Sequence, residues 1–439
     1  MKKTITLLAL STLFSMISCW NGAFAQEPLT FTGSILNPLL IHGDPGSCDE
    51  MLVAPFGLWD DDTFYIYYTG NAGACIATSP DGYNYYKIAG NPVLGPSDIG
   101  FDSLGAASGP VIKIADSEYA MYYNARQYPG WGPGESCGRA TANNPAGPWL
   151  RSSEPALTIG SPGEWDEGLI SPLKVIPLDT GSFIMFYYAS HDFNGTWLMG
   201  MATSPDGITW TKYNDPDTTD PPYAESDPII PAGASGEFDE WGVLGAGVFT
   251  AGGYYHMYYC GLAPGPVTGY RTDIGYAYST DGINWEKWPE NPVYVQENDP
   301  YFDYTTMIFE QPTILVKDST IYLYYDYGTV TNSLGMAVAE NVWVGINENK
   351  IPGDELRITN HPNPAIESTT FSCTLSQPMH VKFEIFDSFG RLVEELIDNK
   401  QQKGEQRITC NTETYPAGIY FYRFQSDDTT CGGKMVVVK

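Results

Sequence analysis

Apolar positions along this chain come in short bursts. Runs rich in tyrosine and aliphatic residues, at 65–68, 119–123, 183–188, 254–259 and 321–325, alternate with stretches broken by glycine, proline, asparagine and aspartate. No helical period is sustained before residue 390. Aromatic and β-branched runs bounded by turn formers predict strands and an all-β fold. The N-terminus reads differently. Lys2 and Lys3 precede an apolar run over 5–17, and Ala23-Phe24-Ala25 places small residues where a signal peptidase reads them. Residues 1–25 are expected to be a secretory signal peptide, with Gln26 as the mature start. The competing reading makes Cys19 a lipid anchor, but Met16-Ile17-Ser18 matches poorly the run that precedes such a cysteine. No other stretch approaches the roughly 20 apolar residues of a membrane span, so none is expected.

The strand pattern repeats five times. Each copy opens with x-Pro and two apolar residues, at Asn37-Pro38, Asn91-Pro92, Glu154-Pro155, Asp227-Pro228 and Asn291-Pro292, spaced by 54 to 73 residues. An aromatic-Asp pair follows at Phe101-Asp102, Trp165-Asp166, Phe238-Asp239 and Phe302-Asp303, with Cys48-Asp49 in the first copy. Next come an inner strand, an aromatic strand and a strand of small residues. Three copies close that last strand with Ser-x-Asp-Gly-x-x-aromatic, at 79–85, 204–210 and 279–285. Asp-Gly supplies the positive backbone angles a tight hairpin needs. Four-stranded repeats of this length are blades of a propeller, stacked radially so that aromatics fill the space between them. The fifth copy shows three clear strands, while residues 29–40 form an orphan strand ahead of the first. That orphan is expected to complete blade five as its outermost strand and leave no open edge. The predicted architecture is an all-β, five-bladed propeller over 26–350, followed by a small C-terminal β-sandwich over 355–439.

Charge separates the two regions. Residues 26–354 carry 41 Asp and Glu against 11 Lys and Arg, whereas 355–439 carry 11 against 9. Most of this acid solvates an exported surface. Its field also repels polyanions, so no nucleic acid is expected as a partner. Seven cysteines remain beyond the signal, an odd number in a setting that permits disulfides, and one pair among Cys373, Cys410 and Cys431 is expected. Their spacings fit no zinc site.

The tail carries His361-Pro362-Asn363-Pro364, Phe386-Asp387-x-x-Gly390, Tyr415-Pro416-Ala417-Gly418-Ile419-Tyr420 and a terminal Lys434-Met435-Val436-Val437-Val438-Lys439. On these residues it resembles the C-terminal sorting domain of the type IX secretion system. That resemblance implies passage across the outer membrane by that machinery, then release or attachment at the surface.

Strand polarity sorts the loops onto two rims. One rim holds the short turns, such as Asp60-Asp61-Asp62, and the Asp-Gly hairpins, whose acids read as structural. The other holds Asp49, Glu50, Asp102, Asp166, Glu167, Asp239, Glu240, Asp303 and Glu310 from the loops entering each blade. It also holds Asn71, Arg126, Trp131, His191, Arg271 and Asp326 from the loops between second and third strands. Carboxylates beside Arg, His and Trp suit a sugar, whose hydroxyls take polar partners and whose apolar face stacks on a ring. The Ser-x-Asp-Gly-x-x-Trp hairpins, Gly147-Pro148-Trp149 and Glu310-Gln311-Pro312 make residues 29–344 resemble five-bladed glycosidases of the arabinanase, xylosidase and invertase type, including glycoside hydrolase families 43 and 32. The resemblance implies a general acid at Glu310. The acids such enzymes carry beside the matching proline of other blades are replaced here by Ala54, Gly109 and Ser171. The partner carboxylate is therefore expected among Glu167, Asp49 and Asp166, with Arg126, Trp131, His191 and Asp326 binding substrate. A monomeric hydrolase of a neutral poly- or oligosaccharide follows, needing no cofactor, although an acidic ring also suits a structural Ca²⁺. A non-catalytic glycan-binding propeller is the alternative. A glycoside phosphorylase would need cations for phosphate, and this rim offers few.

Overall fold

The computed structural model describes residues 27–34, 36–127, 134–192, 196–267, 269–298, 308–318, 320–328, 333–340, 358–363, 365–375, 377–386, 392–416, 418–426 and 430–439. The expected signal peptide and Cys19 lie outside these residues. Among them the regular elements are strands, apart from one 3-10 turn at Gln296–Asn298.

Five sheets follow one another along the first part of the chain. The inner strands are Val53–Asp60, Val111–Ala115 with Gly105–Ala106, Leu169–Pro177, Gly242–Ala251 and Ile308–Lys317. Each pairs with a second strand: Thr63–Gly70, Glu118–Arg126, Phe183–Ser190, Tyr254–Val267 and Thr320–Gly328. The third strands are Gly73–Ser79, Ser136–Ala142, Leu198–Ser204, Tyr270–Ser279 and Ser333–Glu340. In the first four sheets the outermost strand is a two-residue stub: Tyr86–Lys87, Leu150–Arg151, Thr211–Lys212 and Glu286–Lys287. Stubs this short leave little edge for stray pairing.

Packing closes the sheets into a ring. Among the described residues, five apolar clusters join sheet one to two, two to three, three to four, four to five, and five back to one. Tyrosine dominates them: Tyr67, Tyr122, Tyr187, Tyr258 and Tyr324 are wholly buried. Rings this large remove much apolar surface from water, and their hydroxyls can reach polar partners at the layer edge. Tyr67, for instance, donates to the Pro145 carbonyl at 2.7 Å and Tyr85 shares a hydrogen with Tyr324 at 2.7 Å, each across a blade boundary.

The orphan N-terminal segment supplies the fifth sheet's missing edge. Thr32–Gly33 pairs antiparallel with Ser333–Glu340, Thr32 facing Val338 and Gly33 facing Ala337. The repeated Asn-Pro explains why. Asn91 accepts from the Ile76 amide at 2.9 Å and donates to the Ile76 carbonyl at 3.0 Å, gripping the third strand of the preceding blade. Asn291 grips Tyr276 in the same way at 2.8 and 3.0 Å. Asn37 has no preceding blade in sequence, and it grips Met336 of blade five, at 2.9 and 3.0 Å. The Ser-x-Asp-Gly hairpins are self-contained: Asp81, Asp206 and Asp281 each accept two backbone amides within their own turns. These bonds draw the Asp81 and Asp206 carboxyls below their usual range.

The C-terminal region is a separate two-sheet sandwich. Thr359–His361, Ser368–Leu375 and Gly404–Asn411 form one sheet; Leu392–Gln401, Met379–Phe386, Gly418–Ser426 and Thr430–Val437 form the other. Phe371, Phe383, Ile385, Phe424, Met435 and Val437 fill the space between them. Cys373 lies opposite Gln406 and Cys410 opposite Thr369, four register steps apart, and both are free thiols. The strand register holds these two apart, and the side chain of Cys431, the third cysteine of the expected pair, lies outside the described residues.

Candidate active site

In each blade one buried residue sits at the same place on the second strand, directly after Tyr68, Tyr123, Tyr187, Tyr259 or Tyr325. These residues are Thr69, Asn124, Tyr188, Cys260 and Asp326, all buried. In two blades the residue is a neutral stitch to the next blade. Thr69 shares a hydrogen with Ser108 at 2.8 Å and accepts from its amide at 2.9 Å, while Asn124 donates to the Ile170 carbonyl at 3.2 Å. Asp326 makes the corresponding contact to blade one, accepting from the Ala54 amide at 3.4 Å. A stitch needs no charge, so a carboxylate in this place calls for another explanation.

Glu310 lies directly opposite it. The inner strand of blade five bulges between Glu310 and Thr313, with Gln311 in the left-handed region at φ 45°, and the register pairs Glu310 with Asp326. Blade one repeats the device at Ala54, φ 54°. A bulge re-aims the side chains beside it, and here it sets two acids face to face, which is unfavourable for like charges. Burial, and then the Asp326 charge, push the Glu310 carboxyl up to about 8, against the pull of a hydrogen bond from the Tyr270 hydroxyl to Oε1 at 3.1 Å. Tyr270 arrives from the long hairpin of blade four, Tyr254–Val267 and Tyr270–Ser279. Glu310 is thus a protonated carboxylic acid near neutral pH.

A third acid belongs to this group. Glu135 is buried at the start of the third strand of blade two, and its carbonyl accepts from the Ile170 amide at 3.0 Å. Burial raises the Tyr188 phenol against a hydrogen bond to Ser171, and the charges of Glu135, Glu310 and Asp326 add to the rise, so all three carboxyls act on one ring. Glu135 escaped the sequence reading, although it is the only acid in the long loop 125–136.

The other sequence candidates sit elsewhere. Asp102, Asp166 and Asp239 each meet a cation on the outermost strand of their own blade: Arg151 at 2.9 Å, Lys212 at 2.6 Å and Lys287 at 2.7 Å. Asp49 meets Lys87 in the same way. Burial pushes the Asp49 carboxyl up, but Lys87 and Ser47 outweigh it and hold it below its usual value. Asp303 lies outside the described residues. Glu167 accepts from the Gly163 amide as Glu50 does from Gly46 and Glu240 from Gly236, so it closes a turn repeated in three blades. Asp49 and Asp166 thus sit in latches and Glu167 in a turn cap. Among the described residues no group of three or more His, Cys, Asp or Glu is placed to hold a metal ion. His191 is half-exposed, 3.3 Å from Glu167. Arg126 lies over Gly105, where a Cβ would come within 2.6 Å of its Nε. Trp131 lies outside the described residues. Arg271 is held by Asp273 at 2.6 Å and Glu297 at 2.9 Å.

Comparison with known proteins agrees with both halves of this description. Residues 360–439 match the secretion system C-terminal sorting domain. No curated protein matches the chain. Among solved structures, a candidate glycosidase from Bacteroides thetaiotaomicron is 16% identical over 71% of this chain and 96% of its own, with a TM-score of 0.55. A glycoside hydrolase is 16% identical over 75% and 96%, with a TM-score of 0.53. A third structure, described with the GH130 family of mannoside phosphorylases that contains glycoside hydrolases targeting β-1,2 mannosidic linkages in Candida mannan, is 18% identical over 75% and 97%, with a TM-score of 0.51. The first part of the chain thus has the propeller fold of glycosidase-like proteins. The last part is a type IX sorting domain, and the protein is exported to the cell surface or the medium.

Proposed function

We propose that residues 26–350 form a glycoside hydrolase of a neutral poly- or oligosaccharide, and that residues 355–439 serve to deliver it. The observation that carries this reading is the Glu310–Asp326 pair. Glycosidic cleavage needs one carboxyl that still holds a proton at working pH and a second that activates water or attacks directly. Glu310 meets the first requirement because burial and Asp326 keep its proton in place. Glu135, which shares the Tyr188 ring with that pair, takes the second role. Arg126, His191 and Trp131 stand as sugar contacts around the rim. The surplus of acid favours an uncharged substrate over an anionic one.

A second reading has an observation of its own. The inner strands of blades one to three carry Ala54, Gly109 and Ser171 beside the positions where a hydrolase of this shape would place acids, which favours a propeller that binds glycans without cleaving them. One experiment separates the two. The mature protein is incubated with a panel of neutral polysaccharides, following both retention and released reducing sugar. Release that disappears in Glu310→Gln supports the hydrolase, whereas binding without release in the parent supports the second reading. Release that requires inorganic phosphate and yields a sugar phosphate would overturn both. Arg271, already held by two carboxylates, argues against that outcome.

A further inference from the structure

Blade one departs from its siblings at two positions at once. In the other described entry loops the residue before the latching aspartate is a large ring: Phe101, Trp165 or Phe238. Trp165 stacks on Tyr187 and Phe238 packs on Tyr259, with ring centres 6.1 and 5.6 Å apart. The third strand opposite these tyrosines has glycine in four blades: Gly138 faces Tyr123, Gly200 faces Tyr187, Gly275 faces Tyr259 and Gly335 faces Tyr325. The glycines are sterically required. A Cβ at Gly275 would come within 2.4 Å of the Phe238 ring, and one at Gly200 within 2.3 Å of Tyr187. In blade one the ring is replaced by Cys48 and the glycine, opposite Tyr68, by Cys75. Their Sγ atoms lie 4.0 Å apart. Blade one keeps the tyrosine, Tyr68, yet both the entry-loop ring and the facing glycine are replaced there by cysteine.

We infer that Cys48 and Cys75 are a disulfide site, oxidised after export, which fastens the blade-one entry loop where the other blades use ring-on-glycine packing. The exported location supplies a setting in which such bonds persist. The oxidant is an external disulfide, either a thiol oxidoreductase or a small-molecule disulfide. The partly exposed Cys48 attacks one of its sulfurs as the thiolate, forming a mixed disulfide and releasing the first thiol. Cys75 then gives up its proton and attacks the Cys48 sulfur, releasing the second thiol. Two protein thiols lose two electrons and two protons, and the oxidant disulfide becomes two thiols. The sulfurs must close by about 2 Å to reach bonding distance, within reach of side-chain rotation and a small shift of the entry loop. In the structure Cys48 and Cys75 are free thiols, as are the buried Cys137, Cys260, Cys373 and Cys410.

The test uses the mature full-length protein purified without reductant and equilibrated with oxidised glutathione. Non-reducing peptide mapping should recover one peptide joining Cys48 to Cys75, and alkylation in denaturant should count two fewer thiols than after reduction. Reduction should lower Tm by on the order of 5 °C, and should not do so in Cys48→Ser. Should the cysteine variants fail to fold, the double variant Cys48→Phe, Cys75→Gly restores the pair used by the sibling blades and should fold with a Tm insensitive to reductant. Separate alkylation of Cys48 and Cys75 in the oxidised native protein, or either of them bridged elsewhere, would overturn the inference.

Discussion

Carboxylates serve two opposite purposes in this molecule. At the blade entries Asp49, Asp102, Asp166 and Asp239 each face a lysine or arginine, and the contact ties a loop to the outermost strand of the blade. On the axis Glu310 faces another carboxylate, with one phenol hydroxyl within hydrogen-bond reach. The latches pair opposite charges, so removing one should cost stability and leave chemistry alone. The axial pair is held under repulsion, so removing one member should cost chemistry and leave stability intact or improved.

Glu310→Gln makes the sharpest cut. It keeps the shape and removes the proton, so cleavage of any active substrate should fall by about 10² to 10⁴ with binding largely retained, as read by kcat against KM. Its Tm should equal or exceed that of the parent, and a lower Tm would dissolve the contrast. Asp166→Asn is the opposite case. It leaves Lys212 without its counter-charge in a site where Asp166 is fully buried, and should cost about 3 kcal/mol in denaturant unfolding, with kcat unchanged under native conditions.

A smaller effect lies in the pH dependence. The folded protein holds the Glu310 proton up to about 8, whereas the unfolded chain releases it near 4.5. Across that window the folded state binds more protons, so the contribution of Glu310 to stability falls as pH rises and levels off above 8. Subtracting the Tm–pH curve of Glu310→Gln from that of the parent should isolate this slope, and a difference that rises with pH would contradict the assignment. Smallest of all, Tyr270→Phe removes the hydroxyl that favours the ionised form of Glu310. The alkaline limb of activity should move upward by a fraction of a pH unit.

Local features were legible in the sequence. The Ser-x-Asp-Gly hairpins are closed by neighbours a few residues apart, so their motif is their structure. The Asn-Pro repeat marked the blades, and the orphan segment predicted closure because Asn37 carries the same motif as Asn91. Glu310 stood out through Glu-Gln-Pro. The latches did not, because each joins an aspartate to a cation 38 to 49 residues away, lysine in some blades and arginine in another. Without those cations in view, the aspartates read as an acidic ring and were given catalytic roles. Asp326 was legible as a rim residue but not as the partner of Glu310, since the bulge at Gln311 shifts the register that would have paired them. Glu135 comes to Tyr188 through the stacking of blade two on blade three, which no single repeat records.

The closing strand also bears on how the protein is made. Asn37 and Met336 are 299 residues apart, so the first strand to leave the ribosome waits for nearly the last before the ring can shut. Non-local pairing of this kind is slow, and an interrupted chain exposes two unpaired edges that invite aggregation. The sorting sandwich is encoded directly after the strand that completes the ring. Any molecule bearing the delivery label has therefore already synthesised both halves of its clasp, and a product terminated before Ser333 has neither a closed ring nor a label.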